Sequence, residues 1–396
     1  MNRHWPARVI IAFTKMCFAV QLFLGATSLC HASHLARVPM IFTIDLDLPC
    51  VRVNVAGKGY YNFLVDTGST CSTVFTETAR ALNIVNDPDL DVRSMDPDNL
   101  HARSQAAMLP FLQVGKIKIP SVLVAISSKN VMQLHCDGIL GLDVLAKYVI
   151  TLDFDESALV IDQGIPSRKA GTAIRLDRKL KNIATFNANV DGQKLQLKLD
   201  TGCRGHIACD QGRLNSLQTQ QPFRTTNLLG LDGFHRSGEF MLKYLSVGPF
   251  NLRNVPAIGV FGPKPRPGSD ILIGIYFARR FKVTIDLTHG VMYLKPGRRI
   301  GEQFCYMDPG MKLGQYSRIT VAHGSPAYTS GLRSGDVLIA LDGNHNDDNI
   351  GIPISVLTAS PVGRKCCVEV MRNGKPRNFT IVCRANIPAP PRTHLK

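Results

Sequence analysis

The chain has 396 residues and contains one long unit twice, which limits the folds open to it. Residues 63–69 read FLVDTGS and residues 197–203 read LKLDTGC. Three more segments recur at offsets of 133 residues: LQVG at 112–115 and LSVG at 245–248, DGILG at 137–141 and DILIG at 270–274, YVITLD at 148–153 and FKVTID at 281–286. A unit of this length is too long for a solenoid repeat. The repeat therefore predicts two copies of one lobe, residues 33–166 and 167–298.

Short apolar runs bounded by turn residues indicate that each copy is built mainly from strands. The chain has 33 Gly and 23 Pro, and its Val, Ile, Leu and Thr residues come in short runs. Leu195, Leu197 and Leu199 alternate with polar residues, which is typical of a half-buried strand. The corresponding run before Asp66 does not alternate, so we expect burial on both of its faces. The predicted fold is mainly β, two-lobed and pseudo-symmetric.

Each of these two runs ends in Asp-Thr-Gly, at residues 66–68 and 200–202. One such tripeptide would be interpreted as an Asx-turn at a strand end. Two copies in matching positions favour a catalytic pair of carboxylates. Two carboxylates that face each other cannot both ionise and share one proton. The ionised partner then activates a water molecule while the protonated partner polarises a carbonyl group.

These motifs resemble the aspartic protease family of the pepsin and retropepsin type, over about residues 40–297. The family signature is an apolar strand, Asp-Thr/Ser-Gly, and a later apolar-apolar-Gly segment in each lobe; here the later segments are residues 139–141 and 272–274. The continuation at 141–145, GLDVL, is more similar to a fused retropepsin dimer than to a full-size pepsin. The resemblance implies catalysis by Asp66 and Asp200, and active-site support from Thr67, Gly68, Ser69, Thr201, Gly202, Cys203, Gly141 and Gly274.

The two copies differ directly after the glycine. Family members often place a hydroxyl there that hydrogen-bonds the carboxylate; this chain has Ser69 in one lobe and Cys203, a weaker donor, in the other. Loss of a donor to a carboxylate raises its pKa, so we predict activity at milder pH than that of a digestive enzyme. An alternative makes Cys203 a nucleophile, but no motif positions a His to activate it.

Hairpin flaps over the cleft are expected at about residues 101–112 and 225–240, although no counterpart of the family's flap tyrosine is evident. The second candidate includes the Gly-rich stretch at 230–234.

A third domain is predicted at residues 299–386, after the repeat ends. Residues 319–343 contain GSPA, GLRSGD and a DG turn between apolar runs, and resemble a PDZ domain. Strands at 367–372 and 377–382 are joined by Asn373-Gly374, a strong hairpin signal. The resemblance implies binding of an extended peptide at a sheet edge, with Leu313 and Gly314 as candidates for the loop that grips its terminal carboxylate. The alternative is a structural β-domain that packs on the protease lobes.

The acidic run 342–349 lacks the central Gly of a calcium loop and has Pro353 at the twelfth position, so a polar turn is favoured. No C-x-x-C pair is present, and the sequence predicts no metal and no cofactor. Residues 387–396 are predicted to be a disordered tail.

The N-terminus is typical of a secretory signal: basic residues, an apolar run at 16–25, and a small-x-small site before Ser33. Residues 1–32 are therefore predicted to be a signal peptide, and the protein to be periplasmic or secreted. The alternative is an uncleaved membrane anchor at 9–29, which Lys15 interrupts. The net charge of +16 allows weak association with an anionic envelope surface, but no nucleic-acid motif accompanies the scattered Lys and Arg.

Taken together, these patterns predict an exported aspartic endopeptidase that cleaves polypeptides and carries a PDZ module. The alternative is a non-catalytic peptide-binding scaffold that keeps the protease fold.

Overall fold

The computed structural model describes residues 36–43, 48–90, 92–93, 103–127, 136–163, 166, 170–177, 183–203, 205–210, 224–230, 233–260, 271–302, 310–313, 317–341, 343–345 and 365–382. The expected signal peptide, the acidic run from 346 onward and the C-terminal tail lie outside these residues. The described chain is mainly β, as the sequence predicted.

The first copy of the repeat contains ten strands and two short helices within the described residues. These are β1 (Ala36–Phe42), β2 (Pro49–Val55), β3 (Tyr60–Val65), β4 (Thr73–Phe75), α1 (Thr76–Ala81), β5 (Val92–Arg93), β6 (Arg103–Val114), β7 (Ile117–Ser127), β8 (Gly138–Leu140), α2 (Leu142–Leu145), β9 (Val149–Asp153) and β10 (Ala158–Asp162). Phe63, Leu64 and Val65 are all buried, which confirms the expected two-faced burial of the run before Asp66.

Apart from α1, the described part of the second copy has elements that correspond to those of the first: β11 (Thr172–Arg175), β12 (Thr185–Val190), β13 (Gln193–Leu199), β14 (Ile207–Asp210), β15 (Arg224–Gly230), β16 (Gly233–Val247), β17 (Phe250–Val260), β18 (Ile271–Ile273), α3 (Ile275–Ala278), β19 (Phe281–Asp286) and β20 (Val291–Pro296). Leu197 and Leu199 are buried while Gln196 is exposed, in agreement with the alternating pattern.

Both copies pair their strands in one order. The first runs β2-β3-β8-β4-β7-β6-β5 and the second β12-β13-β18-β14-β17-β16-β15, with extra pairings β2–β6 and β12–β16. In each copy a short strand ends directly before the glycine of the apolar-apolar-Gly segment. This strand pairs in parallel with the strand that leads to Asp-Thr-Gly: β8 with β3, and β18 with β13. The recurring sequence segments thus occupy recurring structural positions.

One sheet crosses from the first copy to the second. Its strands follow the order β11-β20-β19-β9-β10-β1, so that three strands of each copy flank a central antiparallel contact of β9 with β19. Thr151 lies opposite Thr284 in that contact, and their Oγ1 atoms are 2.8 Å apart. Because these threonines occupy equivalent positions of the repeat, a pseudo-two-fold axis passes between them.

Tight hairpins close the strand pairs where the sequence has turn residues. In the second copy, Asp191 and Gly192 connect β12 to β13 with φ of +47° and +89°. Two successive positive φ angles are typical of a type I′ turn, which matches the twist of the flanking strands.

The C-terminal elements pack around a hydrophobic core of their own. They are β21 (Met311–Leu313), β22 (Ile319–Val321), α4 (Pro326–Thr329), β23 (Val337–Leu341), β24 (Asn344–His345), β25 (Lys365–Arg372) and β26 (Lys375–Val382). The core includes Met311, Leu338 and Val368, and it is separate from the large core shared by the two repeats. Asn373 and Gly374 form the expected hairpin turn between β25 and β26.

Within the described residues, no helix is both long enough and apolar enough to cross a lipid bilayer.

Candidate active site

Asp66 and Asp200 each follow a strand of the repeat and are held by its parallel neighbour. The Asp66 N–H donates to Leu140 O at 3.1 Å, and the Asp200 N–H donates to Ile273 O at 3.0 Å. Leu140 and Ile273 are the last residues of β8 and β18, and each directly precedes the glycine of an apolar-apolar-Gly segment. The later motif of each copy therefore fixes the position of its aspartate.

The two carboxyl groups lie close enough for each to shift the pKa of the other. Each also lies against the glycine of the opposite motif. A Cβ atom on Gly68 would lie 2.3 Å from Cγ of Asp200, and one on Gly202 would lie 2.5 Å from Oδ2 of Asp66. Any side chain at either glycine would displace a carboxyl group, so the glycines are required by close approach.

Backbone N–H groups point at one oxygen of each carboxyl group. Asp66 Oδ1 accepts from Gly68 N at 2.7 Å and from Ser69 N at 3.1 Å. Asp200 Oδ1 accepts from Gly202 N and Cys203 N, both at 2.9 Å. These donors favour the ionised form of whichever carboxyl group holds the negative charge.

Burial opposes ionisation at both positions. It raises the pKa of Asp66, partly offset by the N–H donors of its own loop. Burial, together with the charge of Asp66, raises the pKa of Asp200 to about 7. The two groups titrate as a unit, and over a wide pH range the pair holds one proton and one negative charge. One carboxylate suited to act as a base therefore lies beside one carboxylic acid suited to donate a hydrogen bond.

Thr67 and Thr201 link the two aspartate loops through four buried hydrogen bonds. Thr67 Oγ1 donates to Leu199 O at 3.0 Å and accepts from Thr201 N at 3.1 Å. Thr201 Oγ1 donates to Val65 O at 2.6 Å and accepts from Thr67 N at 3.0 Å. Both side chains are fully buried. Each hydroxyl therefore ties the loop of its own copy to the backbone of the other copy.

Gly141 and Gly274 lie against the aspartate loops. A Cβ atom on Gly141 would lie 2.7 Å from the carbonyl carbon of Cys71, and one on Gly274 would lie 2.5 Å from Cys203 O. The loops also bond to the helices that follow these glycines: Leu142 N donates to Ser69 O at 2.8 Å, and Ile275 N donates to Cys203 O at 3.0 Å.

The prediction that the Ser69 hydroxyl hydrogen-bonds the Asp66 carboxylate is wrong. Ser69 Oγ donates to Cys71 O at 2.8 Å, and only the Ser69 backbone N–H reaches Asp66. The Cys203 backbone N–H makes the equivalent contact with Asp200. The donors are thus backbone groups in both copies, and a backbone group is present whichever side chain follows the glycine.

The alternative of a nucleophilic Cys203 finds no support in its surroundings. Burial and the charges of Asp200 and Asp66 raise the pKa of its thiol well above the ordinary value, so the thiol stays protonated. Burial and the charge of Arg280 lower the pKa of His206, three residues further on, to about 3, and its ring packs against Tyr276 at a centroid distance of 5.3 Å.

Two features near the carboxylates were missed in the sequence. Ser72 Oγ donates to Asp143 Oδ1 at 2.8 Å and accepts from Gly141 N at 3.0 Å, which ties the first aspartate loop to α2. Lys198 lies on β13 two residues before Asp200, and its charge acts to lower the pKa of both Asp66 and Asp200. A comparison of equivalent positions in the two copies could have found both features. The second copy has His206 in place of Ser72, and the first has Leu64 in place of Lys198.

The remaining candidates, the flap regions and the loop of the C-terminal part, lie partly outside the described residues. The expected flap regions fall on the hairpins β5–β6 and β15–β16, but residues 94–102 and 231–232, which connect the paired strands, lie outside the description. Leu313 ends β21 in the C-terminal part, and Gly314 is not described. In the described ranges, no three His, Cys, Asp or Glu side chains are grouped so that they could hold a metal ion.

A search of curated proteins finds no match to this chain. A model of a protein family matches part of the first copy. Residues 51–144, which include Asp66 and the segment that ends at Gly141, match the model described as aspartyl protease, and this match supports peptidase function.

Proposed function

We propose that the chain is an aspartic endopeptidase in which Asp66 and Asp200 together activate the water molecule that hydrolyses a peptide bond. The observation that carries this proposal is the pair of buried, adjacent carboxyl groups, each with two backbone N–H donors. The family match over 51–144 supports the same reading for the copy that contains Asp66.

The chemistry follows from the shared proton. The ionised carboxylate takes a proton from a water molecule between the two groups as the oxygen attacks the peptide carbonyl. The carboxylic acid donates its proton to the carbonyl oxygen, which lowers the energy of the tetrahedral intermediate. As the C–N bond breaks, the pair donates a proton to the departing amine and takes one from a hydroxyl group of the intermediate, so that it again holds one proton. Neither aspartate has a fixed role, because the proton belongs to the pair.

The substrate would be an extended polypeptide that lies between the two copies. Such a segment can reach both carboxyl groups because they come from different copies and meet on the pseudo-two-fold axis. We further infer that the protein is exported, which the basic and apolar pattern of residues 1–32 supports.

We also propose that the C-terminal part is a PDZ-like module that recruits peptides. Its separate core, the helix capped by Ser325 and the Asn373-Gly374 hairpin support this assignment. Fluorescence anisotropy of the full chain with a labelled peptide, with either a free or an amidated C-terminus, tests the proposal. Preference for the free carboxylate is expected, and equal absence of binding would favour the structural β-domain.

The proposed activity is tested with purified residues 33–396 and a denatured protein mixture, with and without a statine-type inhibitor. The variants Asp66→Asn and Asp200→Asn preserve the size of each side chain but cannot supply the shared acid and base. Asp89→Asn is the matched control, because Asp89 is an exposed residue of a turn. Cleavage that is lost in both dyad variants and kept in the control is expected. Cleavage that persists in either dyad variant would eliminate the mechanism. A wild-type protein that binds unfolded polypeptide without cleaving it would favour the non-catalytic scaffold.

A further inference from the structure

Lys198 introduces a cation beside the catalytic carboxyl groups in only one of the two copies. The first copy has Leu64 at this position, and Leu64 is 2% exposed. Lys198, by contrast, is half-buried on β13. The two copies therefore present different chemistry at the strand position two residues before each aspartate.

The strand pattern places Lys198 on the face opposite the core. Leu197 and Leu199, its neighbours on β13, are both 0% exposed and belong to the large shared core. Successive side chains of a strand point to opposite faces, so Lys198 points away from these leucines. In the register of the sheet, Thr185 lies opposite Lys198 on β12 and Leu272 lies beside it on β18.

Thr185 adds a second polar group to that face. It is 3% exposed, and its Oγ1 atom has no hydrogen-bond partner among the residues that the structure describes. Residues directly opposite in an antiparallel pair share a face, so the Thr185 hydroxyl is on the side of Lys198. The equivalent position of the first copy holds Cys50, which pairs with Leu64 and is 1% exposed. A polar pair thus replaces a buried, largely apolar pair.

The charge of Lys198 acts at the point where the two copies meet. It acts to lower the pKa of Asp66 as well as that of Asp200, although the two aspartates come from different copies. Lys198 is also two positions before Asp200 on the strand that leads to it, and side chains two positions apart on a strand share a face, so the ammonium group is near the place that the scissile bond would occupy. The singly protonated pair would repel an acidic substrate side chain, and a cation at this place offsets that repulsion.

We propose that the Lys198 ammonium group forms a subsite that binds the carboxylate of an aspartate or glutamate next to the scissile bond. The proposal rests on the proposed endopeptidase function. The equivalent face of the first copy, with the buried residues Leu64, Cys50 and Ile139, offers no such cation. The cleavage preference is thus asymmetric, with an acidic preference only on the side of the second copy.

The test uses internally quenched peptides that differ in one residue, with Glu, Gln or Leu at each of the two positions that flank the scissile bond. The full chain is compared with Lys198→Leu, which installs the residue of the first copy, and with Lys198→Arg, which keeps the charge. Lys194→Leu is the matched control, since it removes an exposed positive charge from the same strand, further from Asp200. The measured quantity is the ratio of kcat/KM for the Glu peptide to that for the Gln peptide.

A partly exposed ion pair of about 1 kcal/mol predicts a ratio of roughly fivefold at one of the two positions in the wild-type protein. The ratio should fall to about one in Lys198→Leu and persist in Lys198→Arg and in the control. A wild-type ratio of one or less at both positions overturns the proposal even if Lys198→Leu fails to fold, and so does a ratio that Lys198→Leu leaves unchanged. Absence of any Asp66-dependent cleavage would instead refute the proposed function.

Discussion

Replacing Thr201 by valine should destabilise the protein because it removes the hydroxyl that ties the second aspartate loop to the first copy. That hydroxyl donates to Val65 O at 2.6 Å and accepts from Thr67 N at 3.0 Å, in a fully buried environment. Valine has nearly the same shape and fills the same space, so packing changes little. The carbonyl group and the N–H group would, however, lose this partner. At about 1–3 kcal/mol for each of these two buried polar groups left unsatisfied, the free energy of unfolding should fall by about 2–6 kcal/mol.

The assay is urea denaturation monitored by far-UV circular dichroism, with peptidase activity measured in parallel. Thr201→Ser is the control, because it keeps both hydrogen bonds and loses one methyl group, at a cost of about 1 kcal/mol. We expect the serine variant to keep most of the activity and the valine variant to lose it, since the carboxyl groups depend on the loops for their alignment. Equal stability of the two variants, within about 0.5 kcal/mol, would refute the role assigned to the hydroxyl.

Three further predictions concern the carboxyl pair and the C-terminal core. Because the pKa of Asp200 is raised to about 7, the folded protein keeps a proton that the unfolded chain releases above about pH 4. The free energy of unfolding should therefore fall as pH rises from about 4 to 7, and it should fall less in Asp200→Asn. The peptidase activity should decline above about pH 7, and an activity optimum below about pH 3 would contradict this. Gly68→Ala should abolish cleavage, because its Cβ would overlap the Asp200 carboxyl group, and the pH–rate profile of any residual activity would show whether the pair survives. Arg372→Met should destabilise the C-terminal part by about 3–5 kcal/mol, because it removes the arginine that forms a bidentate ion pair with the buried Asp336 carboxylate. Unchanged hydrogen exchange in β25 would count against this.

The sequence predicted the catalytic pair through the shared offset of its surroundings. Asp66 and Asp200 follow apolar strands, and each later apolar-apolar-Gly segment pairs with one of those strands. Because strand order and burial follow from the hydrophobic pattern, the mainly β fold could be predicted with little more than periodicity and turn residues. The domain boundaries and the PDZ assignment stay predictions.

Side-chain choices around the pair could not be predicted from the pattern. Ser69 could bond either to the carboxylate or to a nearby carbonyl group, and the turn geometry places Cys71 O within reach. The Ser72–Asp143 contact joins residues 71 positions apart, and nothing in the motif indicates that they meet. Lys198 was hidden within an alternating strand, where a polar residue is expected at that position whether or not it lies near the catalytic groups.

The sheet that crosses from one copy to the other has a consequence for how the molecule is held together. Strands β9 and β19 form a continuous ladder, and the threonines of the aspartate loops add four hydrogen bonds between the copies. The residues that form both contacts lie before the end of β10 or after the start of β11. Two fragments cut within the connection between β10 and β11 and produced as separate chains should therefore reassemble. Since each fragment carries one carboxyl group, recovery of cleavage would directly report their association.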